Sequence, residues 1–118
     1  MAATPAAAPA PAIPRGSIWW VDLDPARGGE IQKRRPAVVI SGDGLNRVRR
    51  TVVVVLLSTG PVPRPPVVVA VPSAGAGSVA VCDQLRAVDR TRLMRRDGAL
   101  SREDMAAVEN GVRSVLVL

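Results

Sequence analysis

The segment Thr51–Leu57 constrains the fold more than any other, because four consecutive valines are followed by two leucines with no polar residue between them. β-Branched side chains favour the extended backbone, and an unbroken apolar run is typical of a strand that is covered on both faces. The aliphatic run Val52–Leu57 has six residues, whereas a membrane span needs about 20. The sequence therefore predicts a buried strand and no membrane segment.

Shorter apolar segments, separated by turn residues, flank this strand. Alternation of apolar and polar residues and breaks at Gly and Pro define them. Strands are predicted at residues 17–23, 37–41, 67–71, 78–82 and 84–88, a polar loop at 27–35, a basic connection at 42–50 and a proline-rich link at 60–66. The predicted fold class is mainly β (α+β), a small antiparallel β-barrel with a C-terminal helix.

The apolar period changes near the end of the chain, where the helix is predicted. Ser101 can cap it, with Asp104 at the third helical position. The apolar residues that follow recur at spacings of three and four, which puts them on one helical face. They are Met105, Val108, Val112 and Val115.

Residues 1–14 differ from the rest of the chain in composition. They contain seven Ala and four Pro and no charged side chain, which is typical of a flexible or polyproline-like tail. A basic start and a leucine-rich core, as in an export signal, are lacking. The sequence therefore predicts a disordered tail at 1–14, one domain at 15–118, and a cytoplasmic protein whose Cys82 is reduced.

The residue types that are absent exclude several chemistries. The chain has no His and one Cys, so it can form neither a His-dependent catalytic triad nor a His-ligated or multi-cysteine metal site. No metal and no cofactor are expected. The net charge of +6 favours a polyanionic partner such as nucleic acid or an acidic protein over a merely solvated basic surface.

Two segments place phosphate-binding groups where predicted strands begin or end. Pro36 restricts the backbone of Arg35, so this guanidinium is expected at a rigid strand entrance, where it could stabilise a phosphorane. Ser58 and Thr59 follow the most apolar strand and could donate hydrogen bonds to phosphate oxygens. The alternatives are a solvated basic strand end and ordinary strand-to-turn residues.

A third segment is rich in arginine. Five arginines lie within eleven residues, with aspartates that could pair with some of them. They are Arg86, Arg90, Arg92, Arg95 and Arg96. Such a patch supports phosphate contacts without specifying a base sequence. Cys82, which precedes it, is expected to be a small core residue, because no His is available to activate it.

Four blocks of the chain occur in an order that is characteristic of one family. The first reads Arg-Gly-Ser-Ile-Trp-Trp-Val-Asp-Leu-Asp-Pro from Arg15, and the second reads Gly-Gly-Glu from Gly28 and Arg-Pro-Ala-Val-Val-Ile-Ser from Arg35. Asn46-Arg47-Val48 with residues 53–60, and Cys82-Asp83-Gln84 with Arg86 and Asp89, follow. Together with the terminal helix, these blocks resemble the MazF/PemK (Kid) family of toxin endoribonucleases.

The resemblance implies both a fold and an activity. The fold would be a small SH3-like barrel with a C-terminal helix, assembled as a homodimer whose interface groove binds single-stranded RNA. The activity would be that of a type II toxin, a metal-independent, sequence-specific endoribonuclease that leaves a cyclic phosphate and a 5′-hydroxyl. A cognate antitoxin protein would be the second partner.

Individual positions can be carried over from the family. Arg35 matches the catalytic arginine of the MazF branch, and Ser58 falls on its catalytic threonine, with Thr59 as the alternative hydroxyl. Two Kid-branch active-site positions are replaced here by Gly29 and Val81, so the Arg35 and Ser58 version is preferred. The proposed RNA-binding residues are Glu30, Lys33, Arg34, Asp83, Gln84 and Arg86. Of these, Glu30 and Asp83 are candidates to position or deprotonate the 2′-hydroxyl.

Two alternative functions stay open on the sequence alone. The related CcdB toxins inhibit DNA gyrase, but they depend on a Trp-containing C-terminus, whereas this chain ends in Ser-Val-Leu-Val-Leu. A degenerate toxin that binds RNA or antitoxin without turnover is the other, because of the change at Ser58. Trp19 and Trp20 are expected in the core or on a dimer surface.

Overall fold

The computed structural model describes residues 12–23 and 33–118. The strands are β1 Ser17–Asp22, β2 Arg34–Val39, β3 Thr51–Ser58, β4 Val68–Ala70, β5 Val79–Asp89 and β6 Leu93–Ala99. The α-helices are α1 Asp43–Val48 and α2 Arg102–Leu116, and short 3-10 turns span Pro72–Ala74 and Arg90–Arg92.

The six strands form one antiparallel sheet in the order β4-β5-β3-β2-β1-β6. This confirms the mainly β class with a C-terminal helix. Closure into a barrel, which the sequence analysis expected, is not seen, because the described strands leave β4 and β6 as two unpaired edges. β4 has three residues, and its described ladder is to β5 alone; the sheet is therefore open.

β3 lies inside the sheet, as the valine run predicts. It pairs with β2 and β5, and five of its residues from Val52 to Leu57 are buried. Successive side chains point to opposite faces, so the strand supplies both of the apolar clusters. Val55 and Leu57 belong to the cluster that includes Met105 and Val108 of α2. The second cluster, on the other face, contains Trp19, Val21, Val39, Val52, Val54 and Leu56, among others.

Helix α2 follows the predicted pattern closely. The Ser101 Oγ accepts a hydrogen bond from the Asp104 backbone N–H at 3.1 Å, which satisfies one free donor of the first turn. Met105 and Val108 are buried, and Val112 and Val115 pack against the same cluster. Gly111 permits this close packing, because a Cβ there would lie 2.4 Å from the Cys82 Sγ.

A side-chain clasp joins the start of α2 to the turn after β4. The Asp104 carboxylate accepts hydrogen bonds from the Ser73 N–H at 2.8 Å and from the Ser73 hydroxyl. The Ser73 Oγ in turn accepts from the Ser101 N–H at 3.0 Å. Because Ser73 follows one edge strand and Ser101 follows the other, the clasp holds the two sheet edges together at this corner.

Three elements differ from the prediction. Residues 42–50, expected as a connection, contain α1, whose Asn46 is buried and donates to the Ile13 and Ser41 carbonyls at 3.0 Å. The predicted strands 78–82 and 84–88 are one strand, β5, with an irregular register where Val55 gives way to Leu56 on β3. β6 was not predicted, because its side chains are mostly exposed and lack apolar alternation.

The packed part of the chain includes residues just before Arg15. Ile13 is buried in the second cluster, and the Pro14 carbonyl accepts from the Ser17 N–H at 3.1 Å. Residues 1–11 of the predicted tail lie outside the described residues, as do residues 24–32, which include positions 27–32 of the predicted loop. Arg34 and Arg35, which were expected in that loop, belong to β2. Within the described ranges, no helix is both long and apolar enough to cross a membrane.

Candidate active site

Arg35 and Ser58 come together where β2 begins and β3 ends, inside the sheet. β2 and β3 are antiparallel and pair Ala37 with Leu56, so the same register continued by two residues puts Arg35 opposite Ser58. Side chains directly opposite each other share a face, with Cβ atoms roughly 5 Å apart. The family resemblance assigns these two residues to one site, and the structure brings them together.

Two cavities meet at this pair, since Arg35 and Ser58 line both. The first has a volume of about 350 Å³. Its other lining residues are Ile18, Trp20, Arg34, Pro36, Leu57, Thr59, Ala74, Ser78 and Asp97. Those from β1, β2 and β3 share one face, because Ile18 pairs with Val38 and Trp20 with Pro36.

The second cavity has a volume of about 410 Å³ and is more strongly basic. Its other lining residues are Leu23, Lys33, Leu56, Leu57, Pro61, Val81, Gln84 and Arg86. Leu56 shares the face of Ser58, and Arg86 shares it too, since it pairs with Val54. The two cavities therefore lie toward opposite faces of the sheet, with Arg35 and Ser58 at the rim between them.

Arg35 is available to a ligand. It lies second in β2, paired with Val21, and its side chain is exposed. Among the described residues, none forms a hydrogen bond or an ion pair with its guanidinium. The strand holds its backbone while the guanidinium is free to bind an anion.

Ser58 and Thr59 differ in their surroundings. Ser58 is half-buried at the end of β3, and its Oγ accepts a long hydrogen bond of 3.4 Å from the Gly60 N–H. Thr59 is exposed and follows the strand, and it lines the first cavity but not the second. Ser58 therefore faces both cavities, and within the described structure no acceptor takes its hydroxyl proton.

The remaining predicted site residues divide among three places. Arg34 lines the first cavity, and Lys33, Gln84 and Arg86 line the second. Asp83 is exposed and lines neither cavity, so the structure does not bring it to the site. Glu30 lies outside the described residues.

The arginines of the arginine-rich patch divide into residues that hold the fold together and residues that line cavities. Arg90 donates to the Asn46 carbonyl and, at 3.3 Å, to the Arg49 carbonyl, so it ties the second 3-10 turn to α1. Arg92 donates to the Asp22 carbonyl at 3.1 Å. Both are structural residues, whereas Arg86 lines the second cavity and Arg95 borders a separate hollow with Trp20 and Met94.

Sequence reasoning missed part of the first cavity. Trp19 lies in the core as expected, but Trp20 is half-buried and lines the cavity. Asp97 comes from β6, which was not predicted. The Asp-Gly pair at 97 and 98 is a signal for a turn or a bulge, and it is the only clue in the sequence to this carboxylate.

Cys82 takes no part in the site. It is fully buried against α2, and burial together with the charge of Asp83 raises the pKa of its thiol to about 11. The thiol is therefore protonated and unreactive at neutral pH. The described residues contain no group of three or more acidic, Cys or His side chains that could hold a metal ion.

Comparison with known proteins assigns the chain to a family. The family described as the PemK-like, MazF-like toxin of type II toxin–antitoxin systems matches residues 14–116. The chain belongs to this family. Among curated proteins, the chain is similar to endoribonuclease MazF9 of Mycobacterium tuberculosis, with 35% identity over 108 residues, covering 84% of this chain and 92% of that protein.

Another curated protein and two solved structures are also similar to this chain. Endoribonuclease PemK of Escherichia coli is 39% identical over 79 residues, covering 64% of this chain and 59% of that protein. A MazE–MazF complex from Deinococcus radiodurans matches the fold with a TM-score of 0.79 at 24% identity, covering 92% of this chain and 99% of that chain. A mycobacterial endoribonuclease solved with its cognate antitoxin matches with a TM-score of 0.72 at 24% identity, covering 91% of this chain and 95% of that chain.

Proposed function

We propose that this toxin is a metal-independent, sequence-specific endoribonuclease that cuts single-stranded RNA at Arg35 and Ser58. The observation that carries the proposal is that these two residues lie opposite each other and line both cavities. An RNA strand with its scissile phosphate at this rim extends one neighbouring nucleotide into each cavity. Family membership and curated endoribonuclease relatives support the same activity.

The proposed reaction uses no metal ion and depends on groups that stabilise the negative charge of the phosphate. The ribose 2′-oxygen attacks the adjacent phosphorus and loses its proton. The bond from phosphorus to the 5′-oxygen breaks, and that oxygen gains a proton. The products are a 2′,3′-cyclic phosphate and a 5′-hydroxyl.

Arg35 and Ser58 act on the phosphate oxygens in this scheme. A guanidinium holds its proton tightly and is a poor proton donor, so Arg35 stabilises the charge of the pentacovalent transition state. The Ser58 hydroxyl donates a second hydrogen bond. Asp83 lies outside both cavities, so Glu30 is the carboxylate we retain to accept the 2′-hydroxyl proton.

The second cavity is suited to the RNA backbone. Lys33 and Arg86 place two cations there besides Arg35, and Gln84 adds an amide. Arg34 adds a cation to the first cavity. Such contacts bind phosphates irrespective of sequence and weaken as salt increases.

The proposed partners are a second copy of the chain and a cognate antitoxin. β6 is an unpaired sheet edge with mostly exposed side chains, including Met94, and an edge of this kind favours association. An acidic antitoxin segment would complement the basic cavities. Cleavage of mRNA would arrest growth, and the cytoplasm, where mRNA is translated, is the proposed compartment.

The test is cleavage of a defined single-stranded RNA by the purified protein in EDTA. Wild type is expected to cut, with cyclic phosphate and 5′-hydroxyl ends, and Arg35→Ala is expected to lose at least about a hundredfold in rate. Arg102→Ala, which removes an exposed arginine of α2, is the matched control.

Three results would contradict the proposal. The first is intact RNA with wild-type protein, and the second is equal cleavage by Arg35→Ala. The third is inhibition of gyrase supercoiling with no RNA cut, which would favour a toxin of the CcdB kind.

A further inference from the structure

A β-bulge directs Asp97 into the first cavity. β1 and β6 pair Ser17 with Ala99 but Trp19 with Arg96, so the register shifts by one residue between these pairs. Asp97 and Gly98 lie within the shift, and Gly98 has a φ of +83°, which favours glycine. Bulges change the direction of a side chain and occur often beside active sites.

The carboxylate is unusual in its surroundings. The first cavity otherwise carries Arg34 and Arg35, yet no described cation lies within ion-pair distance of Asp97. A carboxylate repels a phosphate, so it is unsuited to the RNA backbone. It is suited to an uncharged group that donates hydrogen bonds.

Trp20 lines the same cavity, and its indole Nε1 is buried with no hydrogen-bond partner among the described residues. Because this N–H is buried, a ligand in the cavity does not reach it. The free carboxylate of Asp97 is therefore the polar group that this cavity offers to a base.

We propose that the first cavity is a guanine-binding subsite in which Asp97 reads the base beside the scissile phosphate. Guanine presents two adjacent donors, N1–H and N2–H, to the carboxylate. Uracil presents acceptors on both sides of its one N3–H donor and is disfavoured. The inference rests on the proposed endoribonuclease function, whose phosphate chemistry stays with Arg35 and Ser58.

The experiment compares wild type with Asp97→Asn, which keeps the shape but replaces one acceptor with a donor. Sequencing of RNA ends from a randomised single-stranded library gives the base preference at each position beside the cut. Wild type is expected to favour guanine over uracil at one of them, and Asp97→Asn is expected to lose about tenfold of that preference. Glu103→Gln, which neutralises an exposed carboxylate of α2, is the control.

A second measurement does not depend on cleavage. Wild type is expected to bind guanosine 3′-monophosphate more tightly than uridine 3′-monophosphate, and Asp97→Asn is expected to lose the difference. If this difference holds while RNA is left intact, the proposed function fails and the subsite stands. If RNA is cut and Asp97→Asn changes neither preference, the subsite alone is overturned. Circular dichroism of each variant verifies that it is folded.

Discussion

Arg35 and Ser58 lie opposite each other where β2 begins and β3 ends, and each lines the two cavities on either side of this rim. Strand pairing fixes both backbones, because Arg35 pairs with Val21 and Ser58 pairs with Val79. A guanidinium and a hydroxyl that reach the same phosphate stabilise its developing charge together. The pair is therefore the part of the site that mutation should affect most.

The two neighbouring hydroxyls should differ in importance. Ser58→Ala is expected to lower the rate of RNA cleavage about a hundredfold, because a donor to the phosphate is lost. Thr59→Ala should have a much smaller effect, since Thr59 is exposed and lines one cavity. Ser58→Thr, which keeps the hydroxyl, should retain most activity in the same assay. A larger loss with Thr59→Ala than with Ser58→Ala would assign the role to Thr59.

Gly111 should be intolerant of any side chain. A Cβ there would lie 2.4 Å from the Cys82 Sγ and 2.6 Å from the Pro66 carbonyl, so Gly111→Ala must displace α2 from β5. We expect a loss of about 2 kcal/mol in the free energy of unfolding, measured with urea. Gly44→Ala is the matched control, because it is also helical and has open space around it. A loss of the same size in both variants would show that packing is not the cause.

Asp89 should contribute to stability against acid. Hydrogen bonds from the Thr91 N–H and hydroxyl lower the pKa of its carboxyl below the ordinary value of 3.8. A lowered pKa in the folded state gives stability that is present above the unfolded pKa and is lost as the pH falls through the folded one.

Asp89→Asn removes the carboxyl and tests this directly. The free energy of unfolding of wild type should fall more steeply with pH below about pH 4 than that of the variant. Parallel curves for the two proteins across that range would contradict the prediction.

Cys82 should resist alkylation in the folded protein. Its thiol is buried, and the raised pKa of about 11 keeps it protonated at neutral pH. Reaction with a maleimide, followed by mass spectrometry, should be slow in buffer and fast in urea. Rapid labelling of the native protein would mean that α2 separates readily from β5.

The sequence pattern predicted β3 and α2, because neighbouring residues determine both elements. The valine run identifies β3, and the cap at Ser101 with the spacing after it identifies α2. α1 was missed because it is short and is held in part by a long-range hydrogen bond from Asn46 to the Ile13 carbonyl. Periodicity cannot detect such a link.

Part of the candidate site was also predictable from the sequence. Arg35 and Ser58 were found from the motif and the strand pattern, and the register explains why they meet. The places of Asp97 and Trp20 in the first cavity were not predicted. They depend on a bulged pairing between β1 and β6, two strands that are distant in sequence. Asp83 was included as part of a motif, but its exposed side chain lies outside both cavities.

The clasp of Ser73, Ser101 and Asp104 has a consequence for how the protein is made. Helix α2, which covers one apolar cluster and whose first turn joins the two sheet edges, is synthesised after all six strands. A nascent chain that still lacks it has β2 and β3 but leaves Val55 and Leu57 uncovered. We therefore expect the finished fold, and with it any toxicity, to arise only after α2 has left the ribosome.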